Sequence, residues 1–252
     1  MSASSHRNPW VAYVRPHPEA RLRLFCFPFA GGAAMAYRGW AKGLPPEVEV
    51  VPVELPGRAS RFHEPAFRHM DELIEPLAAG LAPLLDRPAV FFGHSMGALI
   101  AFEFARWLRR EGREGPRLVF ASAKEAPHIP DDEPPIHKLP DPELTERLRS
   151  FNGTPEEVLQ HPELMAMLLP LIRADFELNE TYVCRPEAPL ACPITALGGL
   201  EDPDVSQEEL AAWKEHTTCA FQVRMFAGDH FYLLHNTHQL FRALMLDLAP
   251  LL

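Results

Sequence analysis

The sequence is poor in cysteine, since Cys26, Cys184, Cys192 and Cys219 are its only four in 252 residues. No two of them have the C-x-x-C spacing that zinc and redox sites use. Four cysteines are also too few to make a disulfide framework in a chain of this length. We therefore expect reduced thiols in a cytoplasmic protein and no metal site. We also expect no cofactor.

Long apolar runs and blocks of like charge are also missing. No segment approaches the roughly 20 apolar residues of a membrane span, and the N-terminal MSASSHRNPW lacks the apolar stretch of a signal peptide. The net charge of −10 comes from scattered residues, which argues against nucleic acid or an anionic membrane as the main partner. The composition, 47% hydrophobic and 23% charged, is typical of a globular protein. We also expect the protein to be a monomer.

Short apolar segments alternate with amphipathic ones along the chain. This alternation predicts an α/β fold, with a mostly parallel central sheet flanked by helices on both faces. The predicted strands are residues 22–27, 48–53, 89–92, 118–121, 194–197 and 221–226. The predicted helical segments between them are residues 35–42, 69–85, 98–111, 207–216 and 237–251.

The interval between the fourth and fifth predicted strands is longer than a crossover requires. It has roughly 70 residues, where a dozen or so plus loops would be enough. It begins with the proline-rich stretch 126–142 and continues with helical patterns at 143–151, 156–160 and 163–182. We interpret residues 126–185 as a helical lid insertion within a single domain, 1–252. A helical extension that only enlarges the core is the alternative.

Residues 93–97 read Gly-His-Ser-Met-Gly and lie between a predicted strand and a helical segment. The pattern G-x-S-x-G in a strand–turn–helix is the nucleophile elbow of the α/β-hydrolase fold. The sharp turn raises the serine hydroxyl above the sheet, and the glycines allow strand and helix to approach closely. The pattern predicts Ser95 as a nucleophile; an incidental serine in a tight turn is the alternative.

A serine hydroxyl needs a base to attack a carbonyl at neutral pH. His230 follows the last predicted strand, where α/β-hydrolases place this base. The acid is expected after the preceding strand, where the sequence offers Glu201, Asp202 and Asp204. We choose Asp202, with Asp204 second and Glu125 in reserve; a turn-forming or capping carboxylate is the other interpretation of Asp202.

An oxyanion hole would use the amide of Met96, the residue after the nucleophile, and a second amide from the loop after an early strand. That loop reads Phe-Pro-Phe-Ala-Gly-Gly at 27–32. Its glycines permit close backbone approach. Ala30 is the expected second donor, and Phe29 is the alternative.

Several motifs taken together resemble those of type II thioesterases, the stand-alone editing enzymes of polyketide and nonribosomal peptide synthesis. They are FPFAGG at 27–32, ELPGR at 54–58, GHSMGALIAFE at 93–103 and GDHF at 228–231. Within the insertion, APH at 126–128, NGTPEEVL at 152–159 and RADFELNETY at 173–182 resemble the lid of that family. The resemblance runs from about residue 20 to the end, and it departs at Asp229, where a second glycine is expected.

The resemblance implies hydrolysis of acyl groups from the phosphopantetheine arm of acyl or peptidyl carrier domains, which releases stalled or misprimed chains. Carrier domains are therefore the expected partners, and Arg58 and Arg61 are candidates for contacting them. Lid side chains would line an acyl pocket, or would only pack the lid onto the domain. The pocket residues we expect are Phe29, Leu148, Phe151, Met167 and Phe176, with Met165 and Leu168 beside them.

Other functions are compatible with the same features. A general carboxylesterase or lipase would use the same triad on an oxygen ester, and an acyltransferase would pass the acyl group to an amine or alcohol. A carrier-binding module with a relict fold would not catalyse at all. The complete set of Ser95, Asp202 and His230 argues against this last possibility.

Overall fold

The computed structural model describes residues 8–130 and 134–252 of the chain. Residues 1–7, which belong to the segment considered for a signal peptide, and residues 131–133 of the proline-rich stretch lie outside the described ranges. Within those ranges, no helix has both the length and the apolar character needed to cross a membrane. All four cysteines are free thiols.

Six parallel strands form one sheet in the described part of the chain, in the order β2-β1-β3-β4-β5-β6. They are β1 Leu22–Phe27, β2 Val48–Pro52, β3 Ala89–His94, β4 Leu118–Ser122, β5 Ile194–Gly199 and β6 Phe221–Phe226. Because every strand runs the same way, all their carboxyl ends meet at one edge of the sheet. The predicted α/β fold is confirmed, and the sheet is parallel throughout.

Helices connect the strands and cover both faces of the sheet. The α-helices are α1 Met70–Leu81, α2 Met96–Arg110, α3 Asp141–Phe151, α4 Glu156–Leu159, α5 Pro162–Glu180, α6 Gln207–Ala211, α7 Tyr232–His235 and α8 Thr237–Leu248. Alternate residues of β1 enter different hydrophobic clusters: Phe25 and Phe27 pack with α1 and α2, whereas Leu24 and Cys26 pack with α8. A strand buried on both faces is mostly apolar, which explains the short apolar segments in the sequence. Arg23 of β1 and Glu49 of β2 are exceptions: they lie side by side in the sheet and form a buried ion pair.

One predicted helix is wrong. Residues 35–42 form two short 3-10 turns, Ala34–Tyr37 and Trp40–Lys42, instead of an α-helix. Gly39 separates the turns, and glycine is about 1 kcal/mol less favourable than alanine inside a helix. The apolar residues of the segment are used in packing, since Tyr37 and Trp40 are buried with their rings edge to face at 5.0 Å.

The long interval between β4 and β5 contains α3, α4 and α5, close to the limits predicted for the three helical patterns. These helices have a hydrophobic cluster of their own, separate from the two clusters on the faces of the sheet. Its buried members are Leu144, Leu148, Leu159, Met165, Leu169 and Ile172. That this segment acts as a lid remains a prediction.

Candidate active site

Ser95 lies in a strained turn between β3 and α2, at the carboxyl edge of the sheet. Its backbone has φ 53° and ψ −122°, a conformation that non-glycine residues rarely adopt and that often marks a functional site. A Cβ atom at Gly93 would lie 2.0 Å from the carbonyl oxygen of Gly97, and one at Gly97 would lie 2.2 Å from that of Phe27. Only glycine fits at both positions, so the sequence pattern corresponds to a physical requirement of this turn.

His230 and Asp202 are brought together by the loops that follow β6 and β5. The Nδ1 atom of His230 lies 2.9 Å from Oδ2 of Asp202. The Asp202 side chain is fully buried, and its second oxygen accepts the backbone amide of Asp204 at 3.0 Å. A carboxylate at Nδ1 favours the tautomer with its proton on that atom, which leaves Nε2 free to accept a proton.

The other acids considered from the sequence are engaged elsewhere. Asp204 accepts a hydrogen bond from Arg147 at 2.9 Å, and Glu125 pairs with Lys124. Asp202, Asp204 and His230 each offer one atom within 4.8 Å of the others. The bonds just described already use these groups, so the cluster gives no argument for a metal.

Ser95 and His230 line the same two cavities. Among the residues that the structure describes, no hydrogen bond joins the Ser95 hydroxyl to the His230 ring. Catalytic hydrogen bonds of substrate-free enzymes are often long or poorly aligned and shorten when the substrate binds. The arrangement therefore brings the predicted nucleophile and base to one site without a formed bond between them.

The loop after β1 offers two free backbone amides beside Ser95. The amide of Gly31 donates to Oδ2 of Asp175 at 2.7 Å, and that of Gly32 donates to the carbonyl of Phe29 at 2.8 Å. In the described part of the chain, the amides of Phe29 and Ala30 have no partner. Both residues line the cavity that contains Ser95. The two amides available in this loop therefore belong to Ala30, the expected second oxyanion donor, and to Phe29, the alternative.

Met96 is the first residue of α2. The first amides of a helix have no partner within it and lie at the positive end of its dipole. The close passage of Gly97 against Phe27 holds this helix end next to the loop after β1. The predicted donors Met96 and Ala30 are thus on segments that touch each other.

One cavity at the site is mostly apolar and has a volume of about 300 Å³. Four of the expected pocket residues line it, namely Phe29, Leu148, Phe151 and Phe176, and Leu168 does so too. Met167 requires a correction, because its side chain is 54% exposed and lies outside the cavity lining. Leu168, Ile172 and Phe176 are spaced by four residues and share one face of α5, and Met167 is not on that row.

The second cavity is more polar, with a volume of about 430 Å³. It shares Ser95, Phe151, Phe176 and His230 with the apolar cavity. Its remaining lining includes the polar side chains Lys124, Glu125, Arg147, Asn179, Glu180, Asp204 and Glu209. Ser95 therefore lies where an apolar space and a polar space meet.

The structure contains another serine–histidine pair, which the sequence interpretation missed. The hydroxyl of Ser122 lies 2.8 Å from Nδ1 of His94 and 2.6 Å from the hydroxyl of Tyr232. All three residues are fully buried. Burial lowers the pKa of His94 well below 6.5, with the nearby His230 adding to the effect. A substrate does not reach this hydroxyl, so the pair supports the site from below. The parallel pairing of β3 with β4 places these two residues side by side.

The two arginines considered for carrier contact are inside the protein. Arg58 is 4% exposed and forms an ion pair with Asp175, whereas Arg61 is also buried and pairs with Glu64. Neither presents a charge to a docking partner, and that expectation is wrong. The sequence contained a signal for the first pair, because Arg58 and Asp175 belong to the PGR and RADF motifs.

Comparison with known proteins identifies the family. Residues 22–246 match the model of the thioesterase domain family. Gramicidin S biosynthesis protein GrsT of Aneurinibacillus migulanus is 42% identical over 254 residues, which cover 99% of each protein. The structure of the type II thioesterase BorB from the borrelidin biosynthetic cluster matches with a TM-score of 0.85 and 40% identity, covering 93% of this chain and 96% of that one.

A further relative is linear gramicidin dehydrogenase LgrE of Brevibacillus parabrevis, 46% identical over 241 residues that cover 94% of this chain and 92% of that protein. The elbow, the His230–Asp202 pair and the family match agree with one another. The chain therefore belongs to the thioesterase domain family, and within it to the type II thioesterases of nonribosomal peptide and polyketide pathways.

Proposed function

We propose that Ser95, His230 and Asp202 form a triad that hydrolyses acyl thioesters on the phosphopantetheine arm of acyl or peptidyl carrier domains. This reaction would release stalled or misprimed chains from their synthases. The observation that carries the proposal is the buried Asp202 carboxylate on Nδ1 of His230, in a cavity that also contains Ser95 at its elbow.

The first half of the proposed reaction forms an acyl-enzyme. Nε2 of His230 takes the hydroxyl proton of Ser95 while the oxygen attacks the thioester carbonyl carbon. The amides of Met96 and Ala30 donate to the resulting oxyanion, and each such donor is worth about 3–4 kcal/mol in serine hydrolases. The carbon–sulfur bond then breaks, and His230 returns its proton to the leaving sulfur.

The second half of the reaction hydrolyses the acyl-enzyme. His230 removes a proton from a water molecule, whose oxygen attacks the ester carbon of the acyl-enzyme. The same amides stabilise the second oxyanion. When the bond to the Ser95 oxygen breaks, His230 gives the proton back to it and the free acid leaves.

The two cavities support a division of the substrate. The apolar cavity suits an acyl chain, since it is lined by side chains such as Phe29, Leu168 and Phe176. The phosphopantetheine arm contains amides and a hydroxyl, which form hydrogen bonds, so we assign it to the polar cavity, which Asn179 helps to line. The thioester would then lie at Ser95, where the cavities meet. The four free thiols support the expectation that the protein works in the cytoplasm.

Comparing Ser95→Ala with Ser122→Ala tests the assignment of the nucleophile. Intact-protein mass spectrometry of an acylated carrier domain, before and after incubation, measures release of the acyl group. We expect Ser95→Ala to reduce release by at least about 10³-fold, because triad serines contribute that much or more. Ser122→Ala should remain within about tenfold of the wild type, since its hydroxyl is buried under the site.

A fluorophosphonate probe provides the second measurement. The wild type and Ser122→Ala should be labelled on Ser95, and Ser95→Ala should not be labelled. Full release by Ser95→Ala, or loss of labelling only in Ser122→Ala, would contradict the proposal.

A further inference from the structure

A buried ion pair joins the PGR loop to α5. Arg58 and Asp175 are 4% and 2% exposed. Their contact is bidentate, with Nη2 donating to Oδ1 at 2.7 Å and Nη1 donating to Oδ2 at 2.9 Å. The triad does not use either residue. A buried ion pair is weak as a source of stability, because the cost of removing two charges from water offsets their attraction. The pair therefore calls for another explanation.

Both members of this pair also bind the loop after β1. Oδ2 of Asp175 accepts the backbone amide of Gly31 at 2.7 Å, and Nη1 of Arg58 donates to the carbonyl of Gly32 at 2.7 Å. The ion pair thus holds the backbone amide of Gly31 and the backbone carbonyl of Gly32, which are adjacent in the loop. Hydrogen bonds to ionised groups are about twice as strong as those between neutral groups.

The same face of α5 packs against both loops. A Cβ atom at Gly31, where φ is +73°, would lie 3.2 Å from Cγ1 of Ile172. A Cβ atom at Gly57, where φ is +83°, would lie 3.2 Å from Cδ1 of Leu171. The helix therefore contacts the two loops closely, and the position of Asp175 depends on how α5 is seated.

We infer that Arg58 and Asp175 are positioning residues for the oxyanion hole, and that they make its geometry depend on the seating of α5. The inference rests on the proposed function, in which Ala30 supplies one oxyanion donor. Because the Gly31 amide is turned to Asp175, the preceding peptide is fixed with the Ala30 amide free beside Ser95. Without the pair, the loop would keep its sequence but lose the two bonds that orient it.

The double variant Arg58→Met/Asp175→Leu tests this inference. Apolar replacement of both members of a buried ion pair is often neutral or stabilising, so the fold should be retained. The loop would nevertheless lose its bonds at Gly31 and Gly32. We expect kcat to fall about 10²-fold, as for loss of one oxyanion donor, with KM for an acyl thioester changed less than threefold.

Two readouts separate positioning from a purely structural role. The affinity for an alkyl boronic acid, whose adduct with Ser95 carries a negative tetrahedral centre, should fall by the same factor as kcat. The matched control is Glu177→Gln. Glu177 is on α5, like Asp175, and this change removes its ion pair with Arg68 but leaves the loop after β1 untouched. It should stay within twofold of the wild type in both measurements.

A folded double variant with wild-type kcat and boronate affinity would overturn the inference, and so would a change in KM alone. If the double variant does not fold, amide exchange in the wild type decides: the Gly31 amide should be protected to the level of the β1 core, and fast exchange would overturn the inference. Failure of the proposed function is distinguishable, because the wild-type enzyme would then not bind the boronic acid at Ser95.

Discussion

Asp202 and Asp204 are two residues apart but have different partners. Oδ2 of Asp202 is 2.9 Å from the His230 ring and the carboxylate is fully buried, whereas Asp204 pairs with Arg147. Asp202→Asn would remove the charge that fixes the ring tautomer and stabilises the imidazolium. We expect kcat to fall by about 10⁴-fold, as when the triad aspartate of a serine protease becomes asparagine.

Asp204→Asn is the matched control for this prediction. It changes the same atoms two positions along the loop, and we expect less than about a tenfold fall in kcat for hydrolysis of an acyl thioester. Steady-state kinetics of both variants makes the comparison. A larger loss in Asp204→Asn than in Asp202→Asn would transfer the role of the acid to Asp204.

At the residue scale, chain order was enough to select Ser95, His230 and a short list of acids. The α/β-hydrolase order places each of them after a particular strand, and the sequence shows those strands. The preference for Asp202 over Asp204 depends on side-chain directions in a loop, which no sequence pattern gives. The partner of Arg58 is 117 residues away, so the fold is needed to show that the PGR and RADF motifs meet and that this arginine is buried.

At the scale of elements, the cavity-lining row of α5 sets the space available to the acyl chain. Leu168→Phe would place a larger side chain in the apolar cavity. We expect kcat/KM to fall more for long acyl chains than for short ones, by about fourfold for each methylene excluded, since a buried methylene is worth about 0.8 kcal/mol. A series of acyl thioesters of increasing length, hydrolysed by both proteins, gives the measurement.

Met167→Phe makes the same kind of change one position earlier on the helix. Met167 is outside the cavity lining, so the chain-length profile should match that of the wild type. An equal shift in both variants would show that the cavity does not hold the acyl chain.

The elements themselves could largely be predicted, because burial makes parallel strands mostly apolar and the connecting segments do not share that pattern. Two strands, Leu22–Phe27 and Phe221–Phe226, have the limits expected from the sequence. The helix predicted at residues 35–42 is wrong because the apolar spacing of this segment suits a helix, whereas Gly39 and the packing of Trp40 favour two separate turns. The face that α5 presents to the site could not be read from its sequence, since its buried residues serve both the lid cluster and the cavity.

At the scale of the whole molecule, the site rests on a buried layer that connects three parts of the sheet edge. His94 at the end of β3 contacts Ser122 at the end of β4, and Ser122 contacts Tyr232 at the start of α7. Tyr232 follows His230 by two residues, so this layer joins the loop that carries the base to the centre of the sheet. Because the His94 ring in this layer can take up a proton, it should affect the stability of the entire fold.

The free energy of unfolding should therefore fall with acidification below about pH 6.5. Burial holds the pKa of His94 well below 6.5 in the folded protein, whereas the unfolded chain has the ordinary value. Below pH 6.5 the unfolded state therefore binds one more proton at this histidine than the folded state does. The free energy of unfolding rises with pH in that range, and the contribution of His94 is complete above about pH 6.5. The contribution of this histidine is about 1.4 kcal/mol for each pH unit well below 6.5.

His94→Asn isolates this contribution, because asparagine keeps a polar atom towards Ser122 but does not titrate. Urea unfolding of both proteins between pH 5 and pH 7.5 gives the slope of stability against pH. Other groups, such as His216, whose pKa burial lowers to about 4 with help from His128, contribute to both slopes and cancel in the difference. Below pH 6.5 the free energy of unfolding of the variant should change less steeply with pH than that of the wild type, by about 1.4 kcal/mol per pH unit, which corresponds to one proton. Equal slopes would mean that His94 takes up its proton in the folded protein as readily as in the unfolded chain, and the buried layer would then tolerate the charge.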